Sequence, residues 1–261
     1  MHKLDNTKLR NDFRDRLSQN RQGWVDSVDK KNGRLWSMPQ RYSYAHEKMF
    51  FDLVFHKFNV RRGVALDLGC GYGFFTNLLS DMGFDSVYGV DLDFERITDA
   101  AKNYDKNFLL GDSMFPPFPN KTFDLVLCRG LSTFSVNLDH AHHAHKLKRI
   151  ILQLVKEGGI LLFIQATDLS GKKTTIQNHK IEDVLRFFGD GMEYPPAVYF
   201  FFGKRSLARL RGSVFSSPVT YLSSLFARTI RRSGYVVCVV KVSSSGKSHG
   251  LSGNDQSPLV H

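Results

Sequence analysis

Three glycines at alternate positions follow an acidic residue in the run Asp67-Leu68-Gly69-Cys70-Gly71-Tyr72-Gly73. Glycine lets the backbone turn sharply and lie against a ligand with no side chain between them. The GxGxG spacing departs from the dinucleotide fingerprint GxGxxG. Asp67 stands two places before the first glycine, where negative charge gives a diphosphate nothing. An acid there suits a ligand that carries an ammonium group. Two more acids recur downstream: Asp91, 24 positions after Asp67 in Gly89-Val90-Asp91-Leu92-Asp93, and Asp112 in Leu110-Gly111-Asp112-Ser113-Met114.

Other reactive side chains are grouped further on, in Cys128-Arg129-Gly130-Leu131-Ser132-Thr133-Phe134 and Asp139-His140-Ala141-His142-His143-Ala144-His145. The i,i+3 pairs His140/His143 and His142/His145 face different sides of a helix, so the four imidazoles cannot ligate one ion. They read as a polar helix start. His140, with an ordinary pKa near ~6.5, is a candidate general base. Arg129 either binds an anionic acceptor or pairs with a buried acid. The Ser243-Ser244-Ser245-Gly246-Lys247-Ser248 and Gly171-Lys172-Lys173-Thr174 stretches lack the first glycine of a P-loop and its strand–loop–helix context.

The elements that must position these residues alternate. A strand Val64–Leu68 ends in the glycines and a helix Phe74–Met82 follows. Then come strand Val87–Asp91, helix Glu95–Tyr104, strands Phe108–Leu110 and Phe123–Cys128, helix Asp139–Val155 and strand Ile160–Gln165. Lys156-Glu157-Gly158-Gly159 reads as a helix C-cap and turn. Alternation of this kind predicts a parallel sheet with helices on both faces, with ligands outside the carboxyl ends of the strands. Helices over 4–20 and Arg41–Phe58 precede the pattern. After it the sequence predicts helix Ile181–Phe188, strand Val198–Phe202, helix Val219–Arg232 and strand Tyr235–Val242. The Ser/Gly-rich 243–261 segment reads as a disordered tail. The expected division is an N-terminal helical extension over 1–60, a main domain over 61–242 with a basic insertion at about 203–233, and the tail.

Composition is that of a globular chain: 261 residues, 42% hydrophobic and 23% charged. No apolar run approaches the ~20 residues that span a bilayer, and the N-terminus has no signal-peptide core. Cys70, Cys128 and Cys238 are isolated, which argues against a disulfide framework or zinc site and fits a reducing cytoplasm. Net charge is +11. Between Tyr194 and Asn254 there is no acid but nine basic residues, Lys204 through Lys247. That field suits RNA, an anionic surface or an acidic metabolite.

The Asp67–Gly73 run resembles the first motif of the class I S-adenosylmethionine-dependent methyltransferases, whose cofactor has a cationic amino-acid end and no phosphate. The resemblance covers residues 63–166. It implies a doubly wound, mostly parallel seven-stranded α/β sheet, to which the N-terminal helical extension would add a cofactor lid, with Tyr42 and Tyr44 candidates either for that lid or for core packing. It also implies cofactor contacts from Asp67, Gly69, Cys70, Gly71, Gly73, Leu92 and Arg129. Asp91, or in second place Asp93, would take the ribose hydroxyls, since two carboxylate oxygens match two donors. Asp112 would accept from the adenine amino group while Met114 or Ser113 lies on the ring. Phe123–Cys128 and Lys156–Gly159 also resemble family segments. The last two strands usually form a close hairpin there, so the long connection between Phe202 and Tyr235 leaves their order open.

The loop after the fourth strand narrows the acceptor. It lacks the Asn/Asp-Pro-Pro-aromatic signature of amino-group enzymes, the Pro-Cys of cytosine-C5 enzymes and the acid of the magnesium-dependent catechol branch. The expectation is transfer by in-line displacement to an O or N atom of a small molecule, with His140 and Arg129 as candidate catalytic residues. Alternatives are an RNA methyltransferase using the basic residues 204–247, a non-catalytic adaptor and an NAD-dependent oxidoreductase.

Overall fold

The computed structural model describes residues 41–137, 141–168, 181–189, 197–202 and 233–242. The helices expected over 4–20 and 219–232, the insertion at 203–233, the tail, and Tyr42's side chain and His140 lie outside these residues or their described side chains. The elements in chain order are α1 (Arg41–Lys57), β1 (Val64–Leu68), α2 (Phe74–Asp81), β2 (Ser86–Asp91), α3 (Phe94–Asn103), β3 (Asn107–Leu110) and β4 (Phe123–Arg129). They continue with α4 (Ser132–Asn137), α5 (Ala141–Leu154), β5 (Val155–Asp168), α6 (Ile181–Gly189), β6 (Ala197–Phe202) and β7 (Ser233–Lys241). Among the described residues no helix is long and apolar enough to cross a membrane.

The strands form one sheet in the order β3-β2-β1-β4-β5-β7-β6. Pairing is parallel from β3 through β5. β7 runs antiparallel between β5 and β6. The chain winds outward from β1 to β3, then returns to place β4 on β1's other side. That reversal opens a crevice at the carboxyl ends of β1 and β4, where an α/β sheet binds its ligands.

Inner strands are apolar on both faces, and each face has its own core. On one side Leu66, Leu68, Leu161 and Phe163 pack with Leu147 and Ile151 of α5 and Phe187 and Phe188 of α6. On the other, Ala65, Leu162 and Ile164 pack with Phe51 and Phe55 of α1 and Leu78 and Leu79 of α2. Thus the part of the 1–60 extension that is described, α1, shares a core with the sheet. Tyr44 at its start sits edge-on to Phe74 and donates to Asp81 Oδ2 at 2.6 Å. At the amino ends of the strands Asp124 accepts from Val64 N–H at 2.9 Å and from Lys156 at 2.8 Å. Burial opposes ionisation there, but these partners hold its carboxyl below the usual range.

Two expected elements differ. The helix expected from Asp139 to Val155 is described from Ala141 to Leu154, and a short helix that the sequence did not suggest, α4, precedes it. The Lys156–Gly159 turn is part of β5. Gly158 takes φ +76 there, and its N–H donates to Val242 O at 2.6 Å while Val242 N–H donates to Gly159 O at 3.0 Å. Two backbone bonds to Val242, just past β7, thus hold a segment that local signals mark as a turn against the end of the sheet.

Candidate cofactor site

The glycine loop joins β1 to α2 and is sewn to the end of β2. Gly69 and Cys70 N–H groups both donate to Val90 O, at 2.7 and 3.0 Å. Gly71 adopts φ +56, a conformation that disfavours other residues, and a Cβ there would meet nothing within 4 Å. It leaves an open backbone surface. Gly73 has φ +80 at the N-cap of α2, and a Cβ there would come 2.6 Å from the Phe108 ring. Cys70 is buried, and burial pushes its thiol pKa up, away from a reactive thiolate.

Asp91 closes the loop from the β2 side. Its Oδ2 accepts from Gly71 N–H at 2.8 Å and its Oδ1 from Asp93 N–H at 2.9 Å. Each oxygen keeps further acceptor capacity, and the two bonds fix the carboxylate's orientation. Asp93 has a different task. It is the N-cap of α3, accepting from Glu95 and Arg96 N–H groups at 3.1 and 3.3 Å, with Arg96 paired at 3.4 Å. Asp91 and Asp93 thus hold different local partners.

Asp67 is turned inward rather than toward an open surface. It is 1% exposed and accepts from Thr76 Oγ1 at 2.8 Å. Burial pushes its carboxyl up to about 7, against the lowering effect of the Thr76 bond.

Asp112 follows β3. It is 3% exposed, and its Oδ1 accepts from Met114 N–H at 2.9 Å. Its Oδ2 is buried with no hydrogen-bond partner. Ser113 shares a 2.5 Å hydrogen bond with Thr133 of α4, and Met114 packs into the core with Leu131. Leu92 is half-buried, while Phe94 and Leu110 are exposed near the same end of the sheet.

Arg129, the last residue of β4, pairs with Glu47 of α1 at 3.1 Å and lies over the Phe75 ring at 4.2 Å. Of the two roles open from sequence, this is the buried ion pair. Sequence reasoning missed Glu47, Thr76 and Thr133. Thr76 had a faint signal, a hydroxyl on the buried face of an otherwise apolar helix turn. Glu47 had none, since its partner is 82 positions away.

These features define a class I S-adenosylmethionine-dependent methyltransferase fold. Residues 66–163 match the family model described as "Methyltransferase domain". A sequence relative, the uncharacterized protein MJ0638 of Methanocaldococcus jannaschii, is 29% identical over 173 residues, 60% of this chain and 69% of that protein. A solved S-adenosylmethionine-dependent methyltransferase from Clostridium acetobutylicum superposes with TM-score 0.54 at 15% identity, covering 85% of this chain and 99% of that one. A geranyl diphosphate methyltransferase in complex with S-adenosylmethionine superposes with TM-score 0.53 at 14% identity, over 75% and 85% of the two chains. Residues 66–163 thus carry a methyltransferase domain, within a chain that shares the fold of solved S-adenosylmethionine-dependent methyltransferases.

Proposed function

We propose that this chain transfers the methyl group of S-adenosylmethionine to an oxygen or nitrogen atom of a small-molecule acceptor by in-line displacement. One observation carries the cofactor side: Asp112 Oδ2 is a buried acceptor with no donor. Buried acceptors are costly unless paired, and an adenine amino group supplies the missing donor. Asp91, oriented by Gly71 and Asp93, would accept from the ribose hydroxyls. Gly69, Cys70, Gly71 and Gly73 would offer backbone to the amino-acid end, with Asp67 behind them. Leu92 and Met114 would flank the base, and Ser113 would support it through Thr133.

When bound, S-adenosylmethionine supplies an already activated leaving group at its sulfonium. What the protein must add is alignment, exclusion of water and, for an acceptor with a weakly acidic proton, a base. His140 is the proposed base, and retained turnover in His140→Ala would remove it from that role. The Glu47 pairing supports Arg129 as a fixed cation at the lip of β4, positioning α1 against the site, in place of an anion receptor.

Calorimetric titration with S-adenosylhomocysteine tests the cofactor assignment. Asp91→Ala is expected to weaken binding by roughly 1.5–3 kcal/mol, the loss of hydrogen bonds to a charged acceptor. An unchanged affinity would move the ribose role elsewhere. Screening acceptors with a radiolabelled methyl donor then identifies the substrate.

A second reading, RNA as acceptor, is favoured by α5. That helix contains no acid and exposes His142, His145 and Arg149 along one side. If RNA is the substrate, log K falls linearly with log salt, and Arg149→Glu lowers the slope by about 1. Charge reversal at Arg228, Arg231 and Arg232 would lower it further. RNA binding without salt dependence, or none, returns the assignment to a small molecule.

A further inference from the structure

We infer that Gln165 recognises the methyl acceptor, its carboxamide oxygen taking a hydrogen bond from an O–H or N–H group of that molecule. The inference rests on the methyltransferase reading and adds a substrate class to it. Gln165 lies in β5, between β4 and β7. Its neighbour Ile164 is opposite Arg129, the last residue of β4, so Gln165 stands at the carboxyl lip of the sheet. By strand alternation it shares a face with Phe163, which packs edge-on to Phe134 of α4 at 5.0 Å.

The side chain is wholly buried, at 0% exposure, in a strand whose preceding residues Ile160–Ile164 are all apolar and buried. Its Nε2 donates to Ser135 Oγ of α4 at 3.2 Å. Its Oε1 is buried and has no partner. An apolar residue of like volume would fill this position without leaving an acceptor unmet. The half-satisfied amide is therefore suited to a group that arrives with a ligand.

The surroundings say which ligand. α4 carries Thr133, bonded to Ser113 beside Asp112, and Ser135, bonded to Gln165. One short helix thus connects two carboxyl-side residues that, among the described residues, have unmet buried oxygens, Asp112 after β3 and Gln165 toward the end of β5. The first suits the adenine amino group, and the second lies across β2, β1 and β4, on the side left for the acceptor. A neutral amide neither takes up a proton at neutral pH nor neutralises a cation, so its role is orientation. Its oxygen favours alcohols, phenols and amines that keep an N–H. Ethers, uncharged N,N-dimethylanilines and carboxylate anions would set lone pairs against lone pairs.

The test uses the full chain saturated with S-adenosylhomocysteine and ligand-observed NMR at neutral pH on matched probes: phenols against their methyl ethers, and anilines against their N,N-dimethyl analogues. The donor-bearing member of a pair is expected to bind wild type about tenfold more tightly, the value of one hydrogen bond. In Gln165→Met that preference should fall to within twofold, with S-adenosylhomocysteine affinity within twofold of wild type. Equal binding of both members by wild type, no binding by any probe, or an undiminished preference in Gln165→Met overturns the inference. If Gln165→Met does not fold, Ser135→Ala, which releases the amide, is expected to lower the preference at least threefold, and an unchanged preference overturns the inference. Failure of S-adenosylhomocysteine itself to bind would instead strike the cofactor reading.

Discussion

Glu47→Ala is expected to destabilise the fold by about 3–5 kcal/mol in chemical denaturation, the usual cost of stranding one member of a buried ion pair. Glu47 and Arg129 have side chains only 6% and 10% exposed, so neither recovers its hydration when the other is removed. Arg129 would keep its place over Phe75, but a ring face replaces only part of what a carboxylate provides. Replacing both residues by apolar ones of similar volume, Glu47→Leu with Arg129→Met, should recover most of the loss. Single-variant losses below about 1 kcal/mol would place the pair with exposed salt bridges. The double variant then separates a stabilising role from a functional one: full stability with lost turnover would assign Arg129's charge to the site.

The second large effect is one of pH. Asp67 holds its proton up to about pH 7 in the folded chain, because burial penalises the carboxylate, whereas an ordinary aspartate ionises near 3.8. Between those values the native state binds more protons than the unfolded state, so this residue's contribution to stability falls as pH rises through the window. Above about 7 both states are ionised and the loss is complete. Asp67→Asn removes the titration but keeps an oxygen for Thr76. Relative to wild type, the variant should therefore gain stability from pH 4 to pH 7, by up to about 4 kcal/mol. A stability difference that stays flat across this range, in urea titrations at stepped pH, would show that Asp67 is ionised throughout.

Much of this molecule is legible in its sequence because local patterns and the fold agree. Val64–Leu68 is a strand with the bounds its apolar run suggests, and the glycines after it turn where glycine alone turns easily. Asp91 and Asp112 both stand at strand ends, as alternating elements require. What escapes notice depends on partners far along the chain. Glu47 is one charge on a mixed helix until Arg129 is seen beside it. Lys156–Gly159 looks like a turn until Val242, just past β7, is seen bonded to Gly158 and Gly159. Gln165 interrupts an apolar run by a single residue, a departure with no meaning until its two amide atoms can be examined separately. The short helix α4 lacks the length over which a hydrophobic period can be recognised.

The position of β7 bears on synthesis. Because β6 pairs, among the described residues, with β7 alone, and β7 lies next to β5, the earlier strand lacks its partner in the sheet when it leaves the ribosome. Translation must proceed roughly 40 residues further, a delay of about 2–8 s at common elongation rates, before the nascent chain can complete this edge. Throughout that interval the apolar margin of β5 is a template for pairing with other chains. Ribosome pausing between β6 and β7 should therefore lower soluble yield more than pausing of equal length between β1 and β2.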